Sequence, residues 1–476
     1  MARGINAEQV ESITQQVEEY STIPCYIGGA PIWQVDNENW KQLAGKSLLL
    51  KTEQDAKKKM GYLQPESGTW PKYASLCEMV YLHFKREEAV GPIAVILNGT
   101  EPTESEIQTQ DVAIIEGKGT LRVAGKGILS SVTIESKEKG NHFSVSYDES
   151  GQNIIIVDTG KNLSMTETVQ YKEVTGLDAL ELSGVFDNID YMQQDINVIP
   201  YVVAAPGWEN ESLSDSVTVA DKLQEIAEGK INNHWRVQAY SQLYDKTFQE
   251  AIQNKTMKSH KVKSCWPFAR IDERVFHLSA LFVLSKLILD TENDGIPFES
   301  ASNEVLDIDG ICDADGQLIR LKEIESNRLN EYGIATVNFL DGSWRTWGIR
   351  MSNYKETEAD TIKKEKLTDV AVQMLDYICN DFQKTYIDLI DKSISEKNAR
   401  DIAEDYQNTR LDAMVKDGSL LYGKIELNKG DAEYSLSGGN FVFSIDETST
   451  PPGNSITAKV RYSEAGLAPE TEEGEY

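Results

Sequence analysis

Residues 332–351, YGIATVNFLDGSWRTWGIRM, leave the chain few ways to fold. An apolar run at 334–339 meets the tight-turn pair Asp341-Gly342, and Trp344-Arg345-Thr346-Trp347 follows at once. A buried strand, a turn and a second strand account for that order. The two indoles are three positions apart, an odd spacing, so they fall on opposite faces of the second strand. Just upstream, DGIPFESASN (294–303) combines an Asp-Gly turn, an Ile-Pro pair and a Ser/Asn-rich loop. That is backbone punctuation rather than an active site.

At 476 residues the chain is too long for one ordinary domain. Its 40% hydrophobic content supplies real cores. Forty-seven basic residues against 77 acidic ones leave a formal charge of −30. Phosphate contacts need clustered Lys and Arg, so nucleic acid is not expected as a direct partner, nor is an anionic membrane. Copies of such a chain repel one another until specific contacts take over. The five cysteines, Cys25, Cys77, Cys265, Cys312 and Cys379, are scattered with no CxxC pair, which indicates neither a zinc ribbon nor a disulfide framework. The first residues, MARGINAEQVESITQQ, carry no apolar signal core, and no apolar run reaches membrane-spanning length. A soluble protein made in a reducing cytoplasm is expected.

Residues 1–20 are polar, with sparse apolar positions at Ile5, Val10, Ile13 and Val17 that suit a marginal helix or an extended arm. A strand ending in Gly28-Gly29-Ala30-Pro31 follows, and residues 73–84 read as a short buried helix. Beyond Pro92 the texture changes to short strand-like runs, including 94–97, 112–115, 128–134, 143–147, 154–157 and 169–171. Turn residues separate them at the intervals of a sandwich. From Thr175 the pattern alternates: strands at 199–205 and 235–240, helices at 217–228, 244–254 and 275–289. A long helix fits 362–390, a more charged one fits 397–416 and stops at Gly418, and strands fit 423–427, 441–445 and 456–462. The acidic end is expected to be disordered. The fold class is α+β: a mixed α/β body with extended N- and C-terminal arms and an inserted all-β sandwich-like domain. Its parts are an arm at 1–20, the first part of the body at 21–97, the β-domain at 98–174, an α/β domain at 175–360, a C-terminal domain at 361–454, and a strand with an acidic tail at 455–476.

Motifs that imitate chemistry fail on inspection. GSLLYGK (418–424) has P-loop glycine and lysine spacing, but Ile425 stands where a Ser or Thr must meet Mg²⁺, and the motif leads from helix to strand. A helix C-cap explains it better. DTENDG (290–295) begins like an EF-hand, yet Ala301 occupies the position of the bidentate Glu and Pro297 interrupts the loop. DIDGICDADG (307–316) fails in the same way. His83, His142, His234, His260 and His277 form no HxH or HExxH pair, and His277 reads as a satisfied core histidine. Acidic pairs such as Glu104/Glu106 read as solvated surface. No cofactor, metal or catalytic constellation is expected.

Six segments occur in a telling order: STIPCYIGGAP (21–31), INVIPYVVAAPGW (196–208), CWPFARIDERVFHLSALF (265–282), DGIPFESASN, the WRTWG hairpin and TPPGNSITAKVRY (450–462). Together they resemble the contractile tail sheath proteins of phages and phage-derived injection machines, across most of the chain. The resemblance implies a structural subunit of stacked hexameric rings around an inner tube, with no enzymatic activity. The rings contract after a baseplate trigger and drive the tube through a cell envelope. It implies as partners further copies of the chain in a helical homo-oligomer, the inner tube protein, and baseplate and terminator proteins. The location implied is a virion tail or phage-tail-like particle assembled in the bacterial host cytoplasm. It also implies arms that add strands to neighbouring subunits, here through Ile456, Ala458, Val460 and Tyr462 at one end and Ile5 and Val10 at the other. In sheaths the C-terminal region lies at low radius. The charged helix therefore offers Arg400, Asp401, Glu404, Asp405, Arg410 and Lys416 to the tube, with Ile402, Tyr406 and Leu411 facing the body; an ordinary solvated face is the competing reading. Two other functions stay open: a hydrolase or transferase on the α/β body, and a non-contractile, strand-swapped virion or surface component.

Overall fold

A computed structural model describes residues 22–86, 89–99, 102–177, 184–232 and 234–463. Its centre is a nine-stranded sheet. In chain order the strands are β1 (Cys25–Gly28), β2 (Ser47–Leu50), β3 (Ile93–Leu97), β4 (Val202–Ala204), β5 (Gln238–Gln242), β6 (Val262–Cys265), β7 (Val305–Leu306), β8 (Ile334–Leu340) and β9 (Ser343–Trp347). Their spatial order is β2-β3-β1-β4-β5-β6-β8-β9-β7. The six strands from β3 to β8 run parallel, and antiparallel strands close both edges.

A parallel sheet needs cover on both faces, and the period-two pattern supplies it. Tyr26, Val95, Val202, Ala204, Tyr240 and Cys265 point into one apolar cluster, beneath Leu278 to Val283 of helix α2. Cys25, Ile27, Ala94, Ile96, Val203 and Ala239 point into a second cluster, beneath Val219 and Leu223 of helix α1. Helix α1 is Val219–Glu228, opened by a Thr218/Asp221 capping box, and α2 is Leu278–Glu292. The expected helix at 275–289 begins later, because Arg274–His277 is a strand paired with Phe268–Ile271. The expected hairpin at 334–347 forms, with Trp344 packed on the first cluster and Trp347 Nε1 donating to Asn327 on the other side.

The strands between Thr103 and Thr175 pair only with one another. Two three-stranded sheets enclose Val112, Leu121, Phe143, Ile154, Ile156 and Val169. In the run 128–134 only Thr133–Ile134 is a strand; Leu129–Ser131 is a helical turn. This sandwich meets the body through hydrogen bonds: Trp33 Nε1 donates to Gly125 O at 2.9 Å, and Gln34 Nε2 to Gly151 O at 3.0 Å. The approach is so close that a Cβ on Gly151, whose φ is +75°, would lie 1.8 Å from Tyr62 O.

After β9 the chain builds a C-terminal unit of helices α3 (Asp369–Tyr386), α4 (Glu396–Tyr406) and α5 (Asp412–Asp417) with strands β10 (Leu420–Leu427) and β11 (Phe443–Ser449). A π-turn, Gln407–Leu411, joins α4 to α5, so the expected helix at 397–416 is continuous in path but not in hydrogen bonding. Gly418 closes α5 in the left-handed conformation at φ +92°, the C-cap expected in place of a P-loop. The core of this unit is Val370, Met374, Ile378, Tyr406, Leu411, Met414, Leu420 and Ile425. Ile296 and Phe298 of the 294–303 loop pack into it, so that loop links the unit to the body.

Candidate assembly interface

The C-terminal unit presents one face of α3 to its own core and the opposite face to the body. Polar residues recur at helical spacing on the body-facing side: Asp369, Gln373, Asp376, Asn380 and Gln383. Lys263 of β6 meets Asp369 at 2.5 Å with both side chains fully enclosed, and Ser300 Oγ donates to the same carboxylate at 2.6 Å. Gln373 faces Tyr240. Asp376 pairs with Lys261 and accepts from Gln238. Asn380 accepts from Arg236 N and donates to Arg236 O, both at 2.9 Å, and Gln383 donates to His234 O at 3.2 Å. Along each segment, Lys263 to Lys261 and Tyr240 to His234, the numbers fall as the helix numbers rise, giving a polar ladder. Burial pushes the Asp376 carboxyl above its ordinary range, opposed by Lys261.

Beside the ladder is a cavity of about 390 Å³ between the unit and the body, lined by Thr22, Tyr201, Arg236, Gln238 and Arg410 among others. Tyr201 Oη, Arg236 Nε and Gln238 Oε1 are buried there with no hydrogen-bond partner among the described residues, so the joint is polar rather than apolar. Next to it, Lys286 and Asp290 pair within α2, and burial raises the Asp290 pKa to about 6. Asp290 opens the EF-hand-like sequence, so its carboxylate is already spoken for. Among the described residues no cluster of His, Cys, Asp and Glu could hold a metal. His277 is the satisfied core histidine expected: Nδ1 lies 2.8 Å from Glu78 and Nε2 3.2 Å from Tyr244 Oη. Burial opposes its charged form, but Glu78 and Glu209 outweigh that and hold the pKa above the usual value.

The second feature is the end of the described chain. Thr450 is tied to Ser419 and Gly418. The following residues run past a groove of about 800 Å³ beside Trp347 and Arg350, and none forms regular structure up to Ser463. The strand expected at 456–462 is therefore not formed in the single chain, where no described strand pairs with it. Ile456 is 97% exposed, Val460 91% and Tyr462 82%, and Ala458 is exposed as well. Apolar side chains alternating with Thr457, Lys459 and Arg461 have the pattern of a half-buried strand without its partner. Ile5 and Val10 lie outside the described residues.

The strands β10 and β11 pair with each other alone, antiparallel, with Ile425 opposite Ile445. One face rests on the helices; Tyr422, Lys424, Glu426, Asp446 and Thr448 face solvent. On the charged helix, Arg400, Asp401, Glu404 and Lys416 are exposed, with Arg400 paired to Glu396. Asp405 instead accepts from Tyr386 Oη at 3.0 Å, and Arg410 stands 3.6 Å from Asp381 at the cavity. Tyr406 and Leu411 are fully buried and Ile402 half so. All six charged residues are nevertheless exposed. Sequence reasoning missed the ladder because charged and amide side chains at helical spacing read by default as a solvated face. The available signal was Lys261 and Lys263, alternating inside an apolar strand.

No protein-family model matches the sequence, and no curated protein does. Solved structures do match. A chain of the anti-feeding prophage baseplate, solved with six-fold symmetrisation, aligns with a TM-score of 0.58 at 12% identity, over 97% of this chain and 99% of that one. A chain of the PVC sheath complex, from an extracellular contractile injection system in the contracted state, gives 0.55 at 11% identity, over 97% and 98%. A sheath tail protein of Desulfitobacterium hafniense gives 0.50 at 10% identity, over 94% and 100%. At these identities the likeness is one of fold, and it runs nearly end to end in both chains.

Proposed function

We propose that the protein is the repeating structural subunit of a contractile tail sheath. Copies stack as hexameric rings around an inner tube, and the assembly shortens to drive the tube through a cell envelope. The observation that carries this reading is the end-to-end fold likeness to sheath chains in a molecule whose C-terminal strand has no partner of its own. Residues 454–463, extended, reach about 30–35 Å, enough to cross to a neighbour. Strand addition is directional, so each subunit both gives and receives a strand, and the contact propagates a helix instead of closing a dimer. The formal charge of −30 keeps free subunits apart until those contacts form.

In this reading the energy of contraction is stored at assembly, as kinetic stability. The partners are the tube, baseplate and terminator proteins, and the tube lies against the exposed charges of α4 and α5. A releasable contact of that kind is polar, and salt weakens it. The location is the tail of a virion or of a phage-tail-like particle. Negative-stain microscopy of the purified protein tests the reading: regular hollow tubes are expected, and monodisperse subunits under all assembly conditions would overturn it.

A further inference from the structure

We propose that the cavity between the C-terminal unit and the body binds a small organic acid that also carries a hydroxyl or amino donor. Such a site is independent of the sheath reading.

The cavity, about 390 Å³, has the size of a small-molecule pocket. It has a buried floor and an open mouth. Gln238 and Gln373 on the floor are 3% and 5% exposed, and Tyr201 and Arg236 beside them are half-buried. Asn197, Asp294, Lys384 and Arg410 stand exposed at the mouth. The walls come from the lead-ins to β4 and β5, the end of α2, and α3. The pocket therefore exists only while the C-terminal unit is seated on the body.

Buried polar groups without partners specify what fills such a space. Gln238 Nε2 donates to Asp376 at 3.4 Å, which leaves Oε1 as an acceptor with no donor. Neither amide atom of Gln373 meets a hydrogen-bond partner among the described residues, and neither do Tyr201 Oη and Arg236 Nε. The floor thus calls for acceptors opposite Arg236 Nε and Gln373 Nε2. It calls equally for donors opposite Gln238 Oε1 and Gln373 Oε1, while Tyr201 Oη serves in either role.

Charge narrows the choice further. Lys286 is paired with Asp290, Lys261 with Asp376, and Arg410 stands 3.6 Å from Asp381. Arg236 is held through its backbone groups by Asn380, and its guanidinium has no ion-pair partner among the described residues. Asp376 feels that charge, but its carboxylate is already on Lys261. Water can complete the hydrogen bonds of the floor but cannot neutralise the guanidinium. A carboxylate can, because its two oxygens match the planar N–H donors. A bare oxyanion brings no donor for the two amide oxygens, and an uncharged polyol leaves the cation unpaired. A carboxylate with a neighbouring hydroxyl or amino group meets both demands, which is the chemistry of hydroxy acids and amino acids.

Isothermal titration calorimetry of the full chain with L-malate, L-glutamate, sulfate and glycerol tests the site. Binding of malate identifies a hydroxy acid as the source, and binding of glutamate an amino acid. Sulfate and glycerol should bind far more weakly than either. No binding by either acid would overturn the proposal, and so would sulfate binding as tightly as the acids. Arg236→Gln should weaken binding about ten- to hundredfold. Tyr201→Phe removes a hydroxyl with no partner in the chain, so the fold should stand while affinity falls about three- to tenfold. That variant decides the matter if Arg236→Gln does not fold; unchanged affinity in it would count against the site. Hydrogen exchange with the bound acid should slow at residues 199–201 and 373–380. Binding without protection there would place the site elsewhere and overturn the proposal.

Discussion

The sandwich and the C-terminal unit are both carried by the same nine-stranded body, and they are held in opposite ways. The sandwich keeps its apolar residues mostly to itself and touches the body through a few neutral hydrogen bonds, the solvent-accessible ion pairs Lys139–Asp36, Lys41–Glu104 and Lys85–Glu149, and one glycine-permitted close approach. The C-terminal unit sets two carboxylates of α3 against Lys263, fully buried, and Lys261, half-buried, and continues the contact with amides beside a polar cavity. Neutral hydrogen bonds and solvent-accessible ion pairs of the first kind fail gently when altered. A buried charge pair fails abruptly, since removing one partner strands the other charge away from water. The C-terminal unit, which carries the proposed assembly contacts, is thus the one whose placement is fixed by the less forgiving chemistry.

The sharpest way to break this contrast is Lys263→Met. It leaves Asp369 enclosed without its cation and should cost about 3–5 kcal/mol in urea unfolding, whereas Lys263→Met with Asp369→Leu should recover most of that loss. Equal losses in the single and double variants would show that the ion pair itself is not the fixing element. A control on the shared body comes next. Burial lowers the His83 pKa to about 4, between Tyr26 Oη and Val90 O. Its contribution is present above the unfolded pKa of 6.5 and lost as pH falls toward 4, by about 3 kcal/mol. In His83→Gln this part of the acid sensitivity should disappear; an unchanged pH profile would place the sensitivity elsewhere.

Smaller effects belong to the sandwich joint. Gly151→Ala forces a Cβ onto Tyr62 O at positive φ and should cost about 1–3 kcal/mol. Hydrogen exchange should rise around residues 62–64 and 125–127 and stay unchanged along α3. Trp33→Phe removes one hydrogen bond and should cost about 1 kcal/mol. A loss matching that of Lys263→Met would erase the distinction between the two joints. On assembly the sandwich should matter least. We propose it as an outer decoration, so replacing residues 103–175 by a short Gly/Ser linker should leave a folded, assembling protein. Only insoluble protein across several linker lengths would make it part of the core.

Much of the fold was legible because it rests on local signals. The Asp341-Gly342 hairpin, the Thr218 cap of α1 and the Gly418 stop each follow from a few adjacent residues. The start of α2 was misplaced because 275–289 is largely apolar with no Gly or Pro to break it, and such a run does not say where a strand ends and a helix begins. The interface was legible in half. The alternation at 456–462 was visible, and the single molecule shows those side chains exposed and the segment without regular structure; a partner strand on a second copy is our proposal. The pocket floor of Tyr201, Arg236, Gln238 and Gln373 was invisible, since its residues come from segments far apart in the chain. The ladder of α3 went unread for the same reason: a polar stripe tells the reader that it needs water or partners, not which of the two it has.

The central claim, that an unpaired C-terminal strand holds a sheath together, is tested most directly by two truncations viewed by negative stain. A chain ending at Tyr462 keeps Ile456, Ala458, Val460 and Tyr462 and should form tubes. A chain ending at Pro452 should stay folded and monomeric. Normal tubes from the shorter chain would contradict the account.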